Sequence, residues 1–222
     1  MSKLYLVPTP LGNLEDITLR ALRILKEVNG VLCEDTRVTK KLLTHFDIPQ
    51  KTMSFHEHSD ERKKETIMQK LLAGESWALV TDAGTPGVSD PGNALVERAL
   101  EQGVRVEPIP GVAAVTALVS VAGVDMREFV FLGFPPHKKG RQTFFQEVLA
   151  SKYPSVYFES PHRIVKNIDL LIELGGAEKQ LIIGRELTKL YEEVIRGSAQ
   201  EVQQYFVDSP DKVRGEFTII VV

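Results

Sequence analysis

Ala78-Leu79-Val80-Thr81-Asp82-Ala83-Gly84-Thr85-Pro86-Gly87-Val88-Ser89-Asp90-Pro91-Gly92 is the stretch on which the fold turns. Ala78 to Thr81 read as a short buried strand, and Asp82 to Gly92 as a loop dense in glycine and proline. Asn93 to Gln102 follow with helical patterning closed by Gly103, and Val104 to Pro108 read as the next strand. Asp90 and Pro91 suit the N-cap and first position of that helix. Strand, loop, helix and strand in this order make a βαβ unit, which implies parallel strands. Ligands of open α/β sheets bind in loops at the carboxyl ends of strands. Gly84 and Gly87 allow close backbone approach, while Pro86 and Pro91 hold the loop in shape. An ordinary connection is the alternative, but the length and constraint of this loop favour binding.

The same alternation extends toward the N-terminus. Leu4 to Val7 form a strand, followed by a Pro- and Gly-bearing turn. A helix then follows, with Asp16 as N-cap and Leu22, Leu25 and Val28 on one face. Val31 to Cys33 and Met53 to Phe55 are short strands around a helix at Thr39 to Phe46. Asp60 to Leu72 place Ile67, Leu71 and Leu72 on a helical stripe. Toward the C-terminus, strands are expected at Val130 to Gly133, Ser155 to Phe158, Leu181 to Gly184, Glu192 to Arg196 and Phe217 to Val222. Helices at Arg141 to Ser151 and His162 to Leu174 lie between the first three of these. The last strands have short connections, so the second sheet should be mixed where the first is largely parallel. The expected fold class is therefore α/β, in two α/β domains. Pro108-Ile109-Pro110-Gly111 ends the first, giving residues 1–111 and 112–222. Gly111 to Val124 reads as a buried helix packed through small residues, too short to span a membrane.

The chain has 222 residues, 43% of them hydrophobic and 26% charged, enough for two compact domains and too apolar for a disordered chain. With 27 Lys and Arg against 30 Asp and Glu, the formal charge is −3. No global field draws the protein to nucleic acid or an anionic membrane, so any polyanion site must be local. The single cysteine, Cys33, excludes an internal disulfide. Met1 to Tyr5 lack the build of a signal peptide, and the expectation is a soluble cytoplasmic protein.

Other strand-end loops carry chemistry. Pro8-Thr9-Pro10-Leu11-Gly12-Asn13-Leu14-Glu15-Asp16 leaves the first strand but matches neither the dinucleotide fingerprint nor the P-loop. Glu34-Asp35-Thr36-Arg37 could supply a base and its partner, or could be a self-neutralising helix start capped by Asp35 or Thr36. His56-Glu57-His58 with Asp60 raises the question of a metal, but no further ligand cluster completes a set, and none is expected. Ser160 has no nucleophile elbow around it, which disfavours a hydrolase. His137-Lys138-Lys139-Gly140-Arg141, Arg62-Lys63-Lys64 and Lys40-Lys41 could form a phosphate-contacting rim, or could be solvated helix starts.

Taken in order, the stretches Val7 to Thr18, Glu34 to Arg37, Asp82 to Pro86 and Pro108 to Gly111 resemble the tetrapyrrole (corrin/porphyrin) methylase superfamily, in its ribosomal-RNA-methylating branch. Phe55 to His58, Gly133 to Pro135, Glu159 to Arg163, Arg185 to Lys189 and Gly215 to Phe217 add to the likeness, which spans essentially the whole chain. The resemblance implies two α/β domains with S-adenosyl-L-methionine in a cleft between them. It also implies a homodimer, and methylation of a cytidine ribose 2′-hydroxyl in the decoding region of 16S rRNA, free or in the small ribosomal subunit. Carried over by motif, the cofactor residues are Pro10, Leu11 and Gly12, then Asp82, Ala83, Gly84, Thr85 and Val88. Ala113, Ala114, Glu159 and Leu187 complete them. A ribose hydroxyl is a poor nucleophile, so a base is expected from Glu34, Asp35, His56 or Glu159, with Arg37 holding substrate phosphate. The alternatives are methylation of a tetrapyrrole carbon and a non-catalytic, ribosome-associated binding module.

Overall fold

Side-chain alternation along three short strands sets the layers of the first half. The computed structural model, which describes residues 2–56, 59–89 and 92–222, places β1 (Lys3–Leu6), β2 (Gly30–Cys33), β3 (Thr52–Ser54), β4 (Trp77–Leu79) and β5 (Arg105–Pro108) in one sheet. Their order is β3-β2-β4-β1-β5 and every pairing is parallel. The intervening helices are α1 (Leu19–Glu27), α2 (Thr36–His45), α3 (Glu61–Leu72) and α4 (Asn93–Glu101). Successive residues of a strand face opposite sides. Val31, Cys33, Ala78 and Val80 therefore meet Ala21, Ile24, Leu25 and Leu43 on one face. Leu32, Trp77 and Leu79 meet Ile67, Met68, Leu71, Leu95 and Ala99 on the other. Burial on both faces explains why β2 and β4 are uninterrupted apolar runs. This unit, Met1–Ala113, is the largely parallel α/β sheet the sequence leads one to expect.

Two details differ. Thr18 caps α1 by accepting from the Ala21 N–H, because Leu14–Asp16 close into a separate 3-10 turn that removes Asp16 from the helix start. On α3 the buried stripe is Ile67, Met68 and Leu71, and Leu72 is 55% exposed, since it falls one position past the inward face. The expected capping by Asp90 and Pro91 lies outside the described residues, as do Glu57 and His58.

The second unit, Ala114–Val222, contains α5 (Ala114–Ser120), β6 (Val130–Phe131), α6 (Arg141–Ala150), β7 (Ser155–Glu159), α7 (Ile164–Leu171), β8 (Gln180–Arg185), β9 (Glu193–Ser198), α8 (Ala199–Asp208) and β10 (Phe217–Val221). The sheet order is β6-β7-β10-β8-β9, with β6 parallel to β7 and the other pairings antiparallel, so the sheet is mixed as expected. Helices α6, α7 and α8 cover one face through Phe145, Ile168, Leu171, Val202 and Phe206. Val115 and Leu118 of α5 cover the other, against Val156, Ile182 and Ile220.

The short-connection reading holds for β8 to β9 but not for β9 to β10, where α8 intervenes. Its Ser198 cap with Glu201 forms a capping box that the sequence displays and the reading passed over. The small-residue run Gly111 to Val124 is helical only over Ala114–Ser120, and Val121 and Val124 are exposed. Gly111 and Gly123 carry little helix propensity, and few apolar side chains reward a longer helix. No helix among the described residues is long and apolar enough to cross a membrane.

Candidate functional site

In the first unit, the direction in which successive strands are added across the sheet reverses between the neighbours β1 and β4. The helices following β1 and β2 pack on one face and the helix following β4 on the other, so the loops leaving these neighbouring strands diverge. Such a switch point is where open α/β sheets bind ligands.

The two divergent loops are stitched to each other. Thr9 and Gly84 exchange both backbone hydrogen bonds at 2.9 Å, and the Thr9 hydroxyl donates to the Thr81 carbonyl at 3.0 Å. The Thr85 hydroxyl donates to the Val112 carbonyl at 2.8 Å, tying the loop after β4 to the segment after β5. Pro8 and Gly111 pack so closely that a Cβ on Gly111 would lie 2.5 Å from that of Pro8. The stretches after β1, β4 and β5 are thus one packed object.

Beside it lies a cleft of about 250 Å³, lined by Thr9, Pro10, Leu11, Gly12, Leu14, Val38, Thr39, Lys41, Leu42, Thr81 and Asp82. Of the residues singled out in the sequence, Pro10, Leu11, Gly12 and Asp82 meet here. Lys41 was singled out only as part of a phosphate-contacting rim, and the α2 contribution of Val38, Thr39 and Leu42 was missed. Its only sequence signal is that α2 follows the acidic strand end at Glu34 and Asp35. The Thr39 hydroxyl is buried in this wall with no oxygen or nitrogen partner among the described residues; its neighbour is the Cys33 thiol.

Ala83, Gly84, Thr85 and Val88 continue the loop from Asp82 without lining the cleft. Ala113 ends the first unit and Ala114 opens α5 in the second.

Asp35 caps α2 by accepting from the Arg37 N–H at 2.8 Å, and its carboxylate takes the Arg37 guanidinium at 2.6 and 3.1 Å. The side-chain bond from Arg37, with the backbone one behind it, lowers the Asp35 carboxyl to about 2. The Asp35 N–H also donates to Asp82 Oδ1 at 3.2 Å, joining the ends of β2 and β4. Such a carboxylate is a weak base, and the helix-start reading of Glu34 to Arg37 describes Asp35. Glu34 is half-buried at the same strand end. His56 is exposed at the end of β3, where its N–H donates to Ser59 Oγ at 2.9 Å, and it does not line the cleft.

In the second unit, Glu159 ends β7 with its side chain 0% exposed. Its oxygens accept from the Ser160 N–H at 2.7 Å, from Arg163 Nε at 2.9 Å and from Asn167 Nδ2. Arg163 also donates to the Pro135 carbonyl at 2.8 Å, which joins Gly133 to Pro135 with Glu159 to Arg163. Leu187 is buried against Leu118 beside Gly184. It sits between Glu186 and Thr188, non-glycine residues with φ of 51° and 67°. Glu186 is held there by its own N–H to the Glu216 carbonyl, and by its carboxylate accepting from the Glu216 N–H and Lys189 Nζ, all at 2.9 Å. Among the described residues, no group of three or more His, Cys, Asp or Glu could hold a metal ion.

A family model described as Tetrapyrrole (Corrin/Porphyrin) Methylases matches residues 3–203. The chain is 46% identical over 221 residues to the "Ribosomal RNA small subunit methyltransferase I" of Halalkalibacterium halodurans, covering 98% of this chain and 75% of that protein. It is 44% identical over 222 residues to the protein of the same name from Borrelia garinii subsp. bavariensis, covering 98% and 97%. Among solved structures, a uroporphyrin-III C-methyl transferase from Thermus thermophilus complexed with S-adenyl homocysteine aligns with a TM-score of 0.65 at 22% identity. That alignment covers 99% of this chain and 97% of the other.

Proposed function

Because the chain belongs to the tetrapyrrole (corrin/porphyrin) methylase family, we propose that it uses S-adenosyl-L-methionine to methylate a cytidine ribose 2′-hydroxyl in the decoding region of 16S rRNA. The methyltransferase assignment itself follows from the family and from relatives at 44 and 46% identity over nearly the whole chain. One observation carries the placement of the cofactor: the cleft at the switch point is walled by the loops that carry the family-like motifs.

The residues fit a nucleoside cofactor. Pro10, Leu11 and Leu42 offer apolar surface, Gly12 an open backbone, and Thr39 and Asp82 polar groups. At about 250 Å³ the cleft is below the usual size for a whole ligand, and it takes part of the cofactor. When bound, S-adenosyl-L-methionine supplies a sulfonium-borne methyl, already a strong electrophile, so the protein's main task is to orient the acceptor oxygen. Of the candidate bases, Asp35 is committed to Arg37, and Glu159 is committed to three donors that fix the turn at 160–163. We assign the ribose proton to His56, exposed beyond the end of β3, or to Glu34 for its place at the end of β2 beside Asp35. In this reading Arg37 turns its exposed side to substrate phosphate, and Leu187 and Ala114 set the backbone of the second unit. The reading includes a homodimer, measured by sedimentation.

The test is transfer of labelled methyl from S-adenosyl-L-methionine to small subunits lacking the modification. Label in one cytidine that resists alkaline cleavage, as a 2′-O-methyl does, supports the reading. Label on an RNA base, or transfer only to a tetrapyrrole precursor, overturns it.

A further inference from the structure

The exposed side of α2 bears Arg37, Lys40, Lys41 and His45, and no acidic residue lies between Thr36 and His45. With Thr44 they line a shallow surface hollow of about 450 Å³. Several other cations of this unit are ion-paired, as Arg37 itself is to Asp35. Arg20 and Arg23 of α1 pair with Glu107 and Glu27, and Lys64 of α3 pairs with Glu61. Lys40 and Lys41 make no ion pair among the described residues, in a chain whose formal charge is −3. The basic run extends over about 12 Å at the rise of an α-helix. Lys41 lines both this hollow and the cleft at the switch point, so the two are contiguous.

We propose that this face of α2 docks the phosphate backbone of the RNA substrate and leads the strand to the cleft. The proposal rests on the RNA-methylating reading above. A lining of three cations and a hydroxyl, with the His45 imidazole at one end, suits phosphate oxygens through its charge. It therefore positions the RNA without reading its sequence. It also resolves the conflict between an acidic chain and a polyanionic substrate: the grip is local, and Lys40 and Thr44 stand outside the cleft itself.

The test uses the full chain with Lys40→Gln and with Lys40→Gln/Thr44→Glu. Gln200→Glu, an exposed position on α8, is the charge control. Two probes are used: a fluorescein-labelled, protein-free 16S rRNA fragment spanning the decoding region, and small subunits lacking the methylation. Loss of one phosphate contact should flatten the slope of log K against log salt by about 0.7 for single-stranded RNA. The double variant should weaken RNA binding and raise KM for the subunit on the order of tenfold near 0.15 M salt. Cofactor affinity and kcat should stay at wild-type values.

Several results would overturn the proposal. These are an unchanged salt slope in both variants, an equal loss in Gln200→Glu, a loss carried only by Lys138→Gln/Lys139→Gln, or a loss seen with intact subunits but not with naked RNA. The last would assign the face to an acidic ribosomal protein. Wild-type protein that binds the fragment through Lys40 yet transfers no methyl to 16S rRNA would overturn the function and leave the docking face standing.

Discussion

Gly111→Ala tests whether the three stretches after β1, β4 and β5 really act as one object. An added Cβ would lie 2.5 Å from Pro8 Cβ and 2.7 Å from Pro8 Cγ. Ordinary contact needs roughly an ångström more, and a pyrrolidine ring cannot swing away as a flexible side chain would. Overpacking of this kind costs about 1–3 kcal/mol. Pro8 precedes Thr9, whose two 2.9 Å bonds to Gly84 and 3.0 Å bond to Thr81 cannot stretch by an ångström and survive. Losing one adds about 1 kcal/mol. The expected destabilisation of the first unit is therefore about 2–4 kcal/mol.

Trp77 is the only tryptophan and is buried in this unit, so urea unfolding followed by its fluorescence reports the loss directly. Cofactor affinity, measured by calorimetry, should fall as well, because Pro10, Leu11 and Gly12 move with Pro8. Pro8→Gly removes the colliding atoms and should restore much of both quantities in the double variant. A Gly111→Ala protein within about 0.5 kcal/mol of wild type and with unchanged affinity would refute the packed-object reasoning.

Thr39→Val removes a buried hydroxyl that faces the Cys33 thiol and has no oxygen or nitrogen partner among the described residues; stability should hold or rise while cofactor affinity falls by about 1 kcal/mol, or roughly fivefold in Kd. Unchanged affinity would remove Thr39 from the site. Glu159→Ala leaves Arg163, with its side chain only 13% exposed, without its carboxylate, and should cost about 3–5 kcal/mol in chemical unfolding of the second unit; wild-type stability with lost turnover would instead make Glu159 catalytic. Asp35 has a lowered carboxyl pKa, so its contribution is present above the unfolded carboxylate value of about 3.9 and is lost as pH falls toward about 2. The stability gap between wild type and Asp35→Asn should stay flat above about pH 5 and close on acidification. A gap that persists at pH 2 would contradict the assignment.

The layering of both halves was legible because period-2 and period-3.6 patterns survive in short elements. Val31, Cys33 and Leu32 declare opposite faces in three residues. What sequence reading lost follows from competition between local signals. Asp16 and Thr18 both satisfy the N-cap chemistry, and only the 3-10 turn at Leu14–Asp16 decides for Thr18. Leu72 completes an apparent stripe that Met68 actually fills, since one step along a helix turns the side chain by about 100°. For the site, the loops after β1 and β4 announce themselves through Gly and Pro. The α2 wall does not. Val38 and Leu42 look like any amphipathic helix, and only the β2 position beside β4 places them at the cleft.

The motifs that identify this chain are better understood as halves of contacts than as separate signatures. Pro8 is matched by Gly111, because only a residue without a Cβ lets the ring sit there. Glu186 is matched by Gly215 in the same way, at 2.4 Å from a hypothetical Cβ to the Glu186 carboxyl, and by the Glu216 N–H that the carboxylate accepts. Pro135 and Arg163 form a third pair through a carbonyl and a guanidinium. Each pair joins stretches far apart in sequence at the ends of strands, where a loop has no sheet neighbour to fix it. Substituting either half alone should therefore damage the loop it anchors more than its own element. That explains why short, irregular runs such as Pro108 to Gly111 and Gly215 to Phe217 can be specific: each is constrained by a partner that a one-dimensional reading does not see.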